Sequence, residues 1–158
     1  MATQRDKYIN YLVKAVDHHA IYLWGAQGQK VKDLTAQDIC KMENSENNAE
    51  RVLNHIELLK RYEWLTSKTK AYDCSGLVCY CLTLAGREPS GFDITADRLF
   101  TRYPHTKDLV PGVLIHRSGH IATYIGYNSL IEAKGRDYGV VVSPFYPKDW
   151  DKEYANPF

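Results

Sequence analysis

The hydrophobic pattern changes period once along the chain, and that change limits the folds open to it. Up to about residue 85 apolar residues recur at helical spacing, whereas from about residue 113 they lie in short β-rich runs divided by turn residues. Ile9, Leu12, Val13 and Val16 share one face of a helix predicted over residues 5 to 20. Thr35 with Asp38 has the form of a capping box, and Ser45 precedes Ala49, Val52, Leu53, Ile56 and Leu59 at helical spacing, so two more helices are predicted there. Residues 74 to 85 put Leu77, Val78, Cys81 and Leu82 on one stripe and stop at Gly86, which predicts a core helix with a C-terminal glycine. Strands are predicted over 113 to 116, 120 to 127, 130 to 133 and 139 to 143, with turns at Ser118-Gly119 and Asn128-Ser129. Residues 22 to 29 read as a loop, residues 87 to 112 as irregular apart from a short helix over 96 to 103, and residues 146 to 158 as a surface wrap. Helices first and an antiparallel sheet after them predict an α+β domain.

A chain of 158 residues holds one hydrophobic core unaided, so a single domain over residues 1 to 158 is the expectation. Twenty Lys and Arg against nineteen Asp and Glu leave a formal charge of +1, which supplies no field for nucleic acid or an anionic membrane. No apolar run is long enough to cross a bilayer, and MATQRDKYIN lacks the basic, apolar and small-residue order of a secretory signal. The expected product is made in the cytoplasm without a signal peptide and without membrane insertion. Cysteines 40, 74, 79 and 81 form no CxxC pair and fit no zinc spacing, which predicts free thiols.

Cys74 stands in Asp73-Cys74-Ser75-Gly76 at the start of the predicted core helix. Unpaired amides and the positive end of the helix dipole favour an anion there, so a thiol at that position gains thiolate character. Small neighbours let a carbonyl approach, and the first-turn amides can receive an oxyanion. Cysteine catalysis needs a base, and His120 opens a strand directly after Ser118-Gly119; His116, four residues earlier, is the competing candidate. A third group should orient the imidazole, and Glu132 interrupts an otherwise apolar strand. A two-residue turn at Asn128-Ser129 would instead set His120 opposite Asp137, whereas partnering His120 with Glu132 needs a hairpin centred near Gly126 or a bulge in one strand.

Together these residues resemble the NlpC-type cell-wall cysteine peptidases, a papain-like group. The resemblance is carried by Tyr-Asp-Cys-Ser-Gly-Leu-Val at 72 to 78, Leu-Val-Pro-Gly-Val-Leu-Ile at 109 to 115 and Gly-His-Ile-Ala-Thr-Tyr-Ile-Gly at 119 to 126. Tyr22-Leu-Trp-Gly25 looks like the group's Tyr-x-x-Gly element, and Ile131-Glu132-Ala133 aligns with its third-residue strand. The resemblance implies an α+β papain-like fold, Cys74 as nucleophile, His120 as base and Glu132 in the third position. It further implies a Tyr22 hydroxyl near the oxyanion and substrate contacts from Asp73 and Ser75; Trp24 is added here as a groove wall. The third position is more often His, Asn or Gln in that group. A connection of about forty residues, 29 to 70, is also longer than usual and reads as a helical insertion.

The activity implied is hydrolysis of an amide bond in peptidoglycan stem peptides, as an endopeptidase or an N-acetylmuramoyl-L-alanine amidase. It needs no metal or cofactor, and the expected state is a monomer reaching the wall by lysis-linked or phage-type delivery, as a phage lysin does. Two competing readings are a non-catalytic peptidoglycan-binding module and an intracellular thiol amidase or acyltransferase of related fold. Permuted relatives of the latter kind place histidine before cysteine, whereas here Cys74 comes first.

Overall fold

The computed structural model describes all 158 residues. Helix α1 runs over Gln4–Asp17 and is closed at its N-terminus by a capping box between Thr3 and Asp6. Two short strands, β1 at Ile21–Tyr22 and β2 at Gln27–Lys30, lead into α2 at Ala36–Glu43 and α3 at Glu46–Arg61. Thr35 and Asp38 form the predicted reciprocal box at α2, and the Ser45 hydroxyl accepts from the Asn48 amide at α3. Strand β3 at Lys70–Tyr72 then delivers the chain to α4 at Cys74–Leu84, with Ala85 as C-cap and Gly86 beyond it at φ +79°. Helix α5 spans Ala96–Arg102, followed by β4 at His105–Thr106, β5 at Leu114–Arg117, β6 at His120–Gly126, β7 at Ser129–Gly135, β8 at Gly139–Pro144 and β9 at Tyr154–Ala155.

The main sheet has the order β4-β9-β5-β6-β7-β8 and is antiparallel throughout. Both of its faces are covered, which explains why its central strands carry few polar residues. Ile121 and Ile131 look toward α1 and α4, joining Leu12, Leu77, Val78 and Leu82, while Ile115, Ala122, Tyr124 and Leu130 pack with Val113 and Phe145 on the far side. Helix α4 is buried well beyond its predicted stripe, Cys79 included, as a helix enclosed by several elements must be. A separate apolar cluster unites Ile39, Ala49, Val52, Ile56 and Leu59 of α2 and α3 with Ile21 and Ala71 of the small sheet and with Leu23 just after β1. The helical segment ahead of β3 is thereby fastened beneath the residues that surround Tyr22.

Three sequence expectations change. Residues 22 to 29 are not a plain loop: β1 and β2 flank β3 in a three-stranded sheet, β1 parallel and β2 antiparallel to it. The C-terminal segment does more than wrap the surface, because β9 lies between β4 and β5. The hairpin turn falls at Tyr127-Asn128 rather than Asn128-Ser129, with both residues left-handed at φ +52° and +55°. Gly126 pairs Ser129, Tyr124 pairs Leu130, and the register shift between them is a bulge at Ile125. That bulge puts Glu132 on the same face as His120 and diagonally across from it. All four cysteines are free, with Cys40 exposed and Cys79 and Cys81 buried.

Candidate active site

Asp73 begins the site by ending β3. It is the N-cap of α4, where its Oδ1 accepts from the Gly76 amide at 2.6 Å and its Oδ2 from the Gly25 amide at 2.9 Å. The Ser75 hydroxyl donates to the same carboxylate at 3.3 Å. Burial lifts the Asp73 pKa above the ordinary aspartate value, against the three hydrogen bonds that pull it down. One carboxylate therefore ties the Trp24-Gly25 turn to the first turn of α4 and leaves Cys74 at the helix entrance.

Gly76 is needed for that junction. A β-carbon there runs into the Ala26 carbonyl, the group that accepts the Asp73 amide at 3.0 Å. Gly76→Ala is expected to cost roughly 1–3 kcal/mol of stability by forcing backbone apart, which urea unfolding would register as a lower midpoint.

His120 lies at the start of β6, with its Nε2 2.8 Å from Glu132 Oε1 on β7. Burial of Glu132 would raise its pKa, but hydrogen bonding, first of all with His120, and the charges of His120 and Arg117 together hold it below the usual glutamate value. A carboxylate acceptor puts the proton on Nε2 and leaves Nδ1 as the acceptor nitrogen of the neutral ring. Burial draws the imidazole pKa down, but hydrogen bonding to Cys74 and Glu132 and the charges of both bring it up to about 9. The thiol also reaches the Gly119 carbonyl at 3.8 Å, a long contact even for sulfur. Trp150 covers the imidazole with ring centroids 5.6 Å apart, and the Arg117 guanidinium lies over Trp150.

Neither rival is free for this work. Asp137 is engaged by Arg51 through two hydrogen bonds of 3.0 and 2.7 Å. His116 has both ring nitrogens engaged, Nδ1 at 2.6 Å from Asp151 and Nε2 at 2.7 Å from Asp97, and its ring stacks on Phe100. The same Asp97 oxygen accepts from the Gly119 amide at 2.9 Å, so His116 and Asp97 together hold the turn that leads into His120.

Tyr22, Trp24, Asp73, Cys74, Ser75 and Gly119 line one cleft of about 530 Å³ with the Asp93–Arg98 segment. Burial, followed by the nearby Cys74 and Asp73, pushes the Tyr22 phenol up to about 12, so at neutral pH it keeps the proton it would donate. Trp24 is more than half exposed on the cleft wall. Tyr22, Trp24, Asp73, Cys74 and Ser75 thus share one cleft, whereas His120 and Glu132 adjoin it through Gly119 without lining it.

Several contributors left no local signal in the sequence. Glu43, at the end of α2, has a fully buried side chain whose Oε1 accepts two hydrogen bonds from Arg136, at 2.9 and 2.7 Å. Its Oε2 accepts from the Trp24 amide at 3.1 Å, and the Arg136 guanidinium lies 5.2 Å over the Tyr22 ring. The pair spans 93 residues, which puts it beyond any motif. Arg136→Ala strands a buried carboxylate and should cost about 3 kcal/mol or more, seen as a clear fall in thermal midpoint.

The NlpC/P60 family model matches residues 59–157, well over half of the chain and inclusive of Cys74, His120 and Glu132, though not of Tyr22. No curated protein matches the chain. Among solved structures, the peptidoglycan hydrolase RipB of Mycobacterium tuberculosis superposes with a TM-score of 0.63 at 18% identity, covering 98% of this chain and 67% of that one. The P60 domain of an M. avium subspecies paratuberculosis antigen gives 0.58 at 19%, covering 97% and 96%. RipD of M. tuberculosis, described as a non-catalytic NlpC/p60 domain protein adapted to peptidoglycan binding, gives 0.61 at 15%, covering 99% and 98%. At such identities the structural likeness speaks for the fold alone, an α+β architecture that all three share. On the span and motifs of the family match, the chain belongs to the NlpC/P60 family.

Proposed function

We propose that the chain hydrolyses an amide bond in bacterial peptidoglycan stem peptides, with Cys74 as nucleophile, His120 as acid and base, and Glu132 as the group that orients His120. The observation that carries this reading is the Glu132-His120 hydrogen bond of 2.8 Å, in a ring whose proton affinity Cys74, at a helix N-terminus in an open cleft, also raises. RipB is described as a peptidoglycan hydrolase and RipD as non-catalytic, so relatives of this fold include both behaviours. A complete Cys-His-Glu set favours catalysis here.

In this reading the Cys74 proton rests on the imidazole, giving a thiolate–imidazolium pair, and Sγ attacks the amide carbonyl carbon. Charge collects on the carbonyl oxygen, where the Tyr22 hydroxyl and the Cys74 amide donate. Imidazolium then protonates the leaving nitrogen, the carbon–nitrogen bond breaks, and a thioester remains with a free amine released. Water, deprotonated by His120, attacks the thioester to give a carboxylate and restore the thiol. Asp73, Ser75 and Trp24 sit where the flanking peptide would lie, although the Asp73 carboxylate is largely occupied by backbone amides. Mass spectrometry of purified peptidoglycan after digestion tests the reading, since new amine-ended muropeptides identify the severed bond. Fragments bound but uncut, under conditions where the protein is folded, would favour the binding-module reading instead.

A further inference from the structure

A second feature with no role so far is a groove of about 460 Å³ at the other end of α4 from Cys74. Tyr80, Cys81 and Leu84 of α4 form one wall, and α1, β2, β3 and the loop before β3 complete it. Its size is that of a small-molecule site, roughly 300–1,000 Å³.

Charge sets this groove apart. Lys14, Lys30, Lys68 and Lys70 all line it, with His18 beside them, and no Asp or Glu does. The whole chain carries nearly equal numbers of acidic and basic residues, so four ammonium groups without a carboxylate are a local concentration. None of the four forms an ion pair; the lysine and arginine ion pairs of the molecule involve Arg51, Lys60, Arg87, Arg102 and Arg136. The catalytic cleft, by contrast, is lined by Asp73, Asp93 and Asp97 with a single arginine.

The walls supply an apolar complement. Lys70 donates to the Tyr80 hydroxyl at 2.7 Å, and Tyr80 packs against Tyr72 with ring centroids 5.6 Å apart. A β-carbon at Gly28 would overlap the Tyr80 ring, so the main chain of β2 backs that ring closely. Burial raises the proton affinity of Tyr72 and Cys81, which keeps both uncharged and leaves the lysines without an internal counter-ion.

We propose that this groove binds a phosphate ester, with the phosphate among the lysine ammonium groups and the organic body against Tyr72, Tyr80 and Leu84. A phosphate monoester carries up to two negative charges and a diester one, and the acceptor oxygens of either, set around a tetrahedral centre, can be shared by several lysines. Lysines act as point charges and need no bidentate geometry, which suits a mobile cationic rim. The site is separate from the catalytic cleft and does not depend on turnover there. Two sources share this chemistry: the phosphodiester units of a wall polymer and the headgroup of an anionic lipid.

The test is titration of the full chain with octyl phosphate below its micelle concentration, with glycerol phosphate, and with octanol as the uncharged control. Tyrosine ring resonances serve as the readout. Saturable shifts of Tyr72 and Tyr80 with a phosphate ester, weakening as salt rises, are expected. Tighter binding of octyl phosphate identifies the lipid source and tighter binding of glycerol phosphate the polymer source, and either supports the site. Lys30→Glu with Lys68→Glu, both at exposed positions, should weaken binding at least ~10-fold with thermal midpoint unchanged, and the Lys→Gln pair should give a smaller loss. No saturable shift with either ester would overturn the proposal. So would octanol binding as tightly as octyl phosphate, or an affinity indifferent to charge reversal.

Discussion

Cys74→Ala is expected to lose amide cleavage by ~10⁴-fold or more while its thermal midpoint stays close to that of the parent chain. The size of the loss follows from the chemistry, because no other side chain in the cleft can form the thioester and the remaining donors only bind. The fold should tolerate the change because Cys74 is partly exposed and the α4 N-terminus is held by Asp73, Gly76 and Leu77 rather than by the thiol. Release of new amines from purified peptidoglycan measures the first effect, and thermal unfolding the second. Retained turnover would remove Cys74 from the mechanism.

The second large effect belongs to His120. His120→Ala should lower kcat/KM by roughly 10³–10⁴-fold, since it removes both the group that takes the thiol proton and the acid that serves the leaving nitrogen. Its pH dependence has a definite sign. The imidazole pKa stands at about 9, above its ordinary value, so the protonated ring needed by the leaving amine persists through neutral pH. It is lost as pH rises through that value, and activity should fall along an alkaline limb centred near it. Glu132 is one of the groups that raise this pKa, by hydrogen bond and by charge. Glu132→Gln should therefore move the alkaline limb toward lower pH and cut the rate by about 10²-fold through a misoriented ring. A pH–rate profile separates the two effects, because a purely structural loss lowers the plateau without moving the limb.

Sequence patterning foretold those elements whose signals are local. The Thr35-Asp38 box, the Ser45 cap and the Ala96–Arg102 helix were legible because capping and helical period act within a few residues. Cys74 and His120 were legible for a similar reason, each lying beside a small-residue turn at the start of an element. Strands of two to four residues such as β1, β3 and β9 carry no usable period, and they exist only because the rest of the fold brings their partners alongside. The orienting carboxylate was ambiguous between Glu132 and Asp137 because one bulged residue, Ile125, decides which face of β7 His120 meets. The bulge leads into the left-handed pair Tyr127-Asn128, a conformation rarely adopted by tyrosine and not readable from a hydrophobic pattern. Glu43, Arg136, Asp97 and His116 were missed as supports of the site because each acts through partners far along the chain.

The central claim is that the thiol at position 74 is activated by the imidazole at position 120. The most direct measurement is peptide mapping of iodoacetamide labelling at neutral pH in the folded chain, comparing all four cysteines. Exposure alone favours Cys40, since Cys74 is only partly accessible and Cys79 and Cys81 are buried. The account predicts that Cys74 is labelled first and that His120→Ala removes its advantage. Faster labelling of Cys40, with a Cys74 rate the same in the parent and His120→Ala chains, would contradict it.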